Sequence, residues 1–321
     1  MILVTGGTGF IGSHLLPRLA AAGERVRCLV RPNRGKRKLP EGVDIAEADL
    51  ASGRGVDSAL EGADTVLHLA GVTKALDARA YYEGNARATE TLAKACSGRD
   101  LRFVHVSSLA AIGPSVHRAP VAEDQSPRPI GNYGKSKLEA ERIVRALLPR
   151  ATIVRPPVVY GPRDTDVFQL LKSISKGLVL EIAGGERWFS AIYVEDLVDG
   201  ILAASNVPQA EGRDYFLAHP KAASWSELAG IAAGVMRKRP RVIRIPVPLA
   251  YAVGWAGELW STITRVPGII SREKIDEARC EAWTCDTRRA AADFGFEAQT
   301  PLADGLAKTL AWYKEAGWLT Y

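Results

Sequence analysis

The sequence predicts an α/β protein, a doubly wound parallel sheet followed by a smaller, mostly helical lobe. Three observations carry this. First, an apolar run, Ile2–Thr5, meets the glycines Gly6, Gly9 and Gly12, and an amphipathic stretch follows. That pattern reads as strand, tight turn and helix: Gly6 lets the chain turn, Gly9 lets a ligand approach the backbone, and Gly12 lets helix and strand pack closely. Second, apolar and amphipathic segments alternate through the first half. Third, prolines break up the second half: Pro156, Pro157, Pro162, Pro208, Pro220, Pro240, Pro246, Pro248, Pro267 and Pro301. Short helices between turns suit a lobe of its own.

The elements follow in order. Strands are expected at Ile2–Thr5, Val26–Val30, Val43–Glu47, Thr65–Leu69, Phe103–Ser107 and Thr152–Arg155. Helices are expected at Gly12–Ala22, Gly55–Leu60, Tyr82–Cys96 and Tyr133–Leu147. Such alternation implies parallel strands joined by crossover helices. A helix over Tyr193–Ser205, with Glu195 and Asp196 at its start, is expected to return to the main sheet. The division that results is 1–157 as a dinucleotide-binding domain with 191–217 returning to it, and 158–190 and 218–321 as a substrate-binding lobe. Val72–Arg79, Pro114–Asn132 and Asp164–Leu180 carry no readable pattern.

The 321 residues, 47% hydrophobic and 24% charged, suffice for a sizeable core and fit a soluble globular chain. Met1 adjoins the first strand, so no targeting segment is expected, and no apolar run reaches spanning length. A cytoplasmic place, or one against a membrane surface, follows. The four cysteines, Cys28, Cys96, Cys280 and Cys285, show no zinc spacing, so reduced thiols and no metal are expected. The formal charge of +6 suits anionic ligands, but no interleaving of aromatic and basic residues points to nucleic acid.

Ligands bind such sheets at the carboxyl ends of the strands. The glycine turn opening a helix, with Phe10 and Ile11 inside it, is therefore expected to hold the pyrophosphate of a dinucleotide at the positive helix end. Leu69, Ala70 and Gly71 at and just past the end of the fourth strand, and Pro156 and Val158 past the sixth, are expected beside the same cofactor. Tyr133 and Lys137 stand four apart and share a helix face. A nearby ammonium favours the phenolate, so Lys137 is expected to lower the Tyr133 pKa and make it a proton shuttle. Taken alone, this spacing is common on exposed helices. Ser108 follows the fifth strand at the ligand edge and is read either as a hydrogen-bond donor to a substrate oxygen or as a helix cap.

Thr5–Gly12, Asp49-Leu50, His68–Gly71, Ser107–Gly113, Tyr133–Lys137, Arg155–Arg163 and Tyr193–Asp196 together resemble the extended short-chain dehydrogenase/reductase family of NAD-dependent epimerases and dehydratases, over nearly the whole chain. The resemblance implies a Rossmann-type fold and a triad of Ser108, Tyr133 and Lys137. It also implies a structural Asn85, Asp49 and Leu50 against the adenine, and a homodimer through helices Tyr82–Cys96 and Tyr133–Leu147. NAD-using members usually end the second strand with an acid; here Val30 stands there, with Arg31, Asn33, Arg34 and Lys36 behind it. Arginine suits a 2′-phosphate, so NADP(H) is expected over NAD(H).

Dehydratases of the family carry an acidic pair beside the serine, and this chain has Ser108-Leu109-Ala110. Nucleotide-sugar epimerases carry an asparagine where Val158 stands and an arginine near Phe189. These departures resemble the 3-beta-hydroxysteroid dehydrogenase-like and dihydroflavonol reductase-like branches. The expectation is hydride transfer between a nicotinamide and a secondary alcohol or ketone on an apolar small molecule, with Thr73, Val158, Phe189 and Tyr193 at the substrate. Alternatives are a nucleotide-sugar epimerase and a non-catalytic dinucleotide-binding sensor or scaffold. Arg237-Lys238-Arg239-Pro240-Arg241 precedes an apolar stretch containing Tyr251, Trp255 and Trp260. A basic loop and a buried lobe helix are favoured there over a peripheral membrane contact.

Overall fold

The structure, a computed structural model, describes residues 1–32, 39–266, 268 and 271–321. The chain opens with β1 (Ile2–Thr5), the glycine turn and α1 (Gly12–Ala21). There follow β2 (Val26–Val30), β3 (Val43–Glu47), α2 (Val56–Leu60) and β4 (Thr65–His68). Next come α3 (Ala78–Tyr82), a π turn over Glu83–Arg87, and α4 (Ala88–Cys96). β5 (Arg102–Val106), α5 (Asn132–Leu147) and β6 (Thr152–Arg155) complete the alternating half. The helix expected from Tyr82 starts earlier because Asp77 caps it, accepting from the Ala80 N–H at 2.8 Å.

The chain continues through β7 (Val158–Tyr160), α6 (Val167–Ser175), β8 (Leu178–Ile182), β9 (Trp188–Phe189), β10 (Ala191–Tyr193), α7 (Val194–Asn206) and β11 (Asp214–Phe216). The main sheet has seven strands in the order β11-β6-β5-β4-β1-β2-β3. Every neighbouring pair is parallel. The strand order reverses between β1 and β4, which opens a crevice at their carboxyl ends. Alternate residues face opposite sides: Val4, Leu67, Val104 and Val154 pack with Leu15, Leu19, Leu197 and Ile201 of α1 and α7. Leu3, Val66, Phe103 and Ile153 pack on the other side with Leu60, Leu92 and Val144 of α2, α4 and α5. Both faces are therefore covered, as strands with continuous apolar runs require.

The remaining elements are β12 (Ala223–Ser224), α8 (Trp225–Val235), β13 (Arg241–Ile245), α9 (Val247–Thr264), α10 (Arg272–Arg279), β14 (Ala282–Trp283), α11 (Arg288–Phe294) and α12 (Leu302–Glu315). Small sheets β12-β9-β14, β13-β8 and β10-β7 join them, strands that the expectation of a mostly helical lobe did not place. Two-residue strands such as Trp188–Phe189 are too short for alternation to register. A second apolar core gathers Leu171, Ile174, Phe189, Leu228, Leu310 and Tyr313.

One expectation fails outright. α9 is not a buried helix: it buries only Ala250, Gly254 and Ser261. Leu249, Val253, Trp255, Leu259, Trp260 and Ile263 are all exposed. Small residues form its inner face because α10 comes close, and a Cβ on Gly254 would sit 2.6 Å from Ile275 Cδ1.

Candidate active site

The glycine turn is built by close backbone approach. Gly6 has φ +72°, and a Cβ there would lie 2.6 Å from the Ala70 nitrogen, so the ends of β1 and β4 touch. A Cβ on Gly12 would lie 2.4 Å from Gly7 Cα. Gly12 therefore seats α1 on the turn itself, rather than on the strand as expected. The Gly9 N–H bonds to the Gly6 carbonyl at 2.9 Å and closes the loop. α1 begins with no side-chain cap and no acid in its first turn. Its positive end is left for an anion, which fits the pyrophosphate of a dinucleotide.

Over the strand ends lies a cleft of about 1130 Å³. Of the expected residues it is lined by Phe10, Ile11, Leu69, Gly71, Thr73, Ser108, Tyr133, Lys137, Pro156 and Val158. Gly6, Gly9, Gly12 and Ala70 are not part of that lining; Gly6 lies against Ala70 where β1 and β4 end. Asp49 accepts from the Ala51 N–H at 3.1 Å and the Ser52 hydroxyl at 2.7 Å, holding the loop after β3, and Leu50 beside it is buried. Arg31 is exposed at the end of β2, while Asn33 and Arg34 lie outside the described residues.

Tyr133 and Lys137 sit on the cleft side of α5. Lys137 is 4% exposed, and its Nζ donates to the Val106 carbonyl at 2.8 Å. Burial pushes its pKa down to about 8, against the opposing pull of Glu141. Burial raises the Tyr133 pKa, while a hydrogen bond with the Ser108 side chain and the charge of Lys274 act in the other direction. The expectation that Lys137 would lower the Tyr133 pKa is thus corrected. The Lys137 ammonium is turned to a strand carbonyl at the base of the cleft, and the cation acting on the phenol is Lys274 on α10. Of the two readings of Ser108 the structure shows the cap, its Oγ accepting from the Ala110 N–H at 3.1 Å, and the side chain also lines the cleft with Tyr133.

Asn85 holds the cleft wall together. Its Oδ1 accepts from the Val72 N–H at 2.7 Å, and its Nδ2 donates to the Val72 carbonyl at 3.0 Å and Ser136 Oγ at 2.9 Å. The loop after β4 is thereby tied to α5. The π turn places Asn85 on that face, and such turns recur at functional sites. Beneath lie His68 and His105, stacked at 5.2 Å. Burial, then the charge of Lys137, lowers both, so both imidazoles are neutral at ordinary pH. His68 is held between Thr5 Oγ1 at 2.6 Å and Thr89 Oγ1 at 2.9 Å.

Two expected substrate residues are elsewhere. Phe189 is 1% exposed and stacks at 4.2 Å behind Trp225, which takes the wall position instead. Tyr193 is buried and tilts against Tyr160 with ring centroids 5.8 Å apart. Each lies on a strand of a small sheet, where alternation turned it to the core. The sequence reading missed Trp225, Tyr251, Ser261, Glu273 and Lys274, which line the far side of the cleft. No motif marks them, because folding alone brings α8, α9 and α10 over α5. Glu273 accepts from the Asn132 side chain and so links α10 to the start of α5.

The chain is 33% identical over 322 residues to the ceramide reductase of Caulobacter vibrioides, covering 99% of this chain and 96% of that protein. It is 27% identical over 319 residues to N-acetyl-alpha-D-glucosaminyl-diphospho-ditrans,octacis-undecaprenol 4-epimerase of Escherichia coli O157:H7, covering 96% and 94%. Among solved structures it is similar to MoeE5 in complex with UDP-glucose and NAD, with TM-score 0.78 and 25% identity over 98% of this chain and 99% of that one. Its relatives are thus reductases and epimerases, and a nicotinamide dinucleotide is the cofactor they support. The model of the NAD dependent epimerase/dehydratase family matches residues 2–218, from the glycine turn to the last strand of the main sheet, and the chain belongs to that family.

Proposed function

We propose that this enzyme interconverts a ketone and a secondary alcohol on an apolar, lipid-like molecule, with NADP(H) preferred over NAD(H). The observation that carries the reading is the gathering of Ser108, Tyr133 and Lys137 in one cleft whose wall holds Val158, Leu170 and Trp225. The nicotinamide supplies or accepts the hydride when bound. Ser108 orients the reacting oxygen and Tyr133 gives it a proton. A phenol with a raised pKa stays protonated at neutral pH, which suits the reducing direction. Lys137 binds the cofactor ribose and backs the proton transfer. The glycine turn and α1 hold the pyrophosphate, and Arg31 faces the 2′-phosphate. The Caulobacter relative supports the lipid-like class by its name.

Homodimer formation through α4 and α5, and a cytoplasmic location, belong to the same proposal. Among the described residues no helix is long and apolar enough to cross a membrane. The second reading is a nucleotide-sugar epimerase, favoured by the Escherichia coli relative.

The test is absorbance of reduced nicotinamide, with NADPH and NADH, over apolar ketones and over sugar nucleotides with product stereochemistry. Net oxidation of NADPH with an apolar ketone is expected. Inversion of a sugar without net turnover makes the chain an epimerase. Cofactor binding with neither reaction assigns the non-catalytic sensor.

A further inference from the structure

We propose that α9 is an interfacial helix that seats the mouth of the cleft on an anionic lipid bilayer. This rests on the lipid-like substrate reading only for its purpose. The surface itself stands on four observations.

The outer face of α9 is apolar and open. Leu249, Val253, Trp255, Leu259, Trp260 and Ile263 are 54%, 45%, 59%, 48%, 68% and 68% exposed. Single exposed apolar residues are ordinary, but a continuous helical face of them marks a contact surface. The helix's one charged residue, Glu258, is turned away, accepting from the Arg272 N–H at 2.8 Å and Nε at 2.9 Å.

The inner face of the same helix borders the cleft through Tyr251, Glu258, Ser261 and Thr262. One side of α9 thus meets the substrate space and the other meets solvent. A bilayer against the outer side puts the cleft mouth beside the acyl region from which a lipid would leave.

Charge identifies the partner. Arg237, Lys238, Arg239, Arg241 and Arg244 lead into α9, Arg265 follows its end, and all six are exposed. Arg244 has only a 3.7 Å approach to Glu181, with 78% of its side chain exposed. Basic residues flanking an apolar helical face match anionic headgroups over an acyl layer. A second copy of the chain suits this face less, because a twofold contact would bring the same basic flanks together. Trp255 and Trp260 add rings that prefer the boundary between headgroup and acyl chain.

The experiment is co-sedimentation of the full chain with vesicles of phosphatidylglycerol and phosphatidylcholine, and with phosphatidylcholine alone, at low and high salt. Binding to the anionic vesicles, weakened by salt, is expected. Trp260→Asp combined with Ile263→Asp should cut that binding at least about tenfold. The melting temperature and the turnover of a short, water-soluble ketone should stay unchanged in the variant. A wild-type chain that stays in the supernatant with both vesicle types overturns the proposal, as does binding that survives the double substitution. A concentration-dependent dimer lost in the variant, with no vesicle binding, gives the face to a second copy and overturns it equally. Salt-sensitive vesicle binding without turnover of any apolar ketone upholds the docking surface and refutes the substrate reading instead.

Discussion

Replacing Lys137 with methionine should stabilise the fold while destroying turnover. The Lys137 side chain is 4% exposed, and its ammonium has a hydrogen bond to the Val106 carbonyl. Glu141, which favours its charge, is already held by Arg155 at 2.8 Å. Burial lowers the lysine pKa from 10.5 to about 8, and at 1.36 kcal/mol per pKa unit the buried charge costs the fold about 3 kcal/mol. Methionine keeps the length and carries no charge. Losing the bond to Val106 gives back about 1 kcal/mol, so the net gain near neutral pH is about 2 kcal/mol.

The sign of the pH dependence follows from linkage. Between about 8 and 10.5 the unfolded lysine holds its proton and the folded one releases it. The unfolded state then binds more protons, so wild-type stability rises with pH through that window. Methionine does not titrate. The advantage of Lys137→Met is therefore greatest below about pH 8 and fades towards pH 10.5. Urea unfolding of both proteins near neutrality and near pH 10 measures it, with the slope against urea unchanged. A variant less stable than wild type at neutral pH, or a gain independent of pH, would refute the reasoning. Turnover should fall by at least about a hundredfold.

Three further outcomes are expected. Tyr133→Phe removes the proton donor and should lower turnover by about 10²–10⁴-fold, with dinucleotide affinity by fluorescence titration nearly unchanged. Gly6→Ala forces a Cβ to 2.6 Å from the Ala70 nitrogen at φ +72°, so it should cost over about 1 kcal/mol in thermal melting and abolish dinucleotide binding. Asn85→Ala removes two hydrogen bonds to the loop after β4 and one to α5, and should cost about 2–4 kcal/mol in urea unfolding, with turnover falling as well.

What could be read in the chain is what is encoded locally. β1, the glycine turn and α1 show in the sequence because a strand, a positive φ and a helix face are properties of adjacent residues. The same holds for β2, β3 and β6, whose ends match the expected ones. β8, β9, β12 and β13 were not seen, since their partners lie far along the chain and their own runs are short. Phe189 and Tyr193 were set at the substrate by their place relative to motifs, yet which face of a short strand is inward depends on the partner it finds.

The sequence by itself determined the parallel doubly wound sheet, the turn at its first strand, and the gathering of Ser108, Tyr133 and Lys137 at one sheet edge. Backbone periodicity and glycine conformation act over a few residues, so they are legible without a fold. Only the tertiary structure decided how the site is charged and what the second lobe exposes. A pKa answers to desolvation and to charges delivered from distant elements: burial raised Tyr133, the charge of Lys274 opposed that rise, and the Lys137 ammonium turned to Val106. Exposure likewise belongs to the assembled surface. α9 is as apolar as a core helix, but α10 packs on its small-residue side and leaves Trp255, Trp260 and Ile263 facing outward.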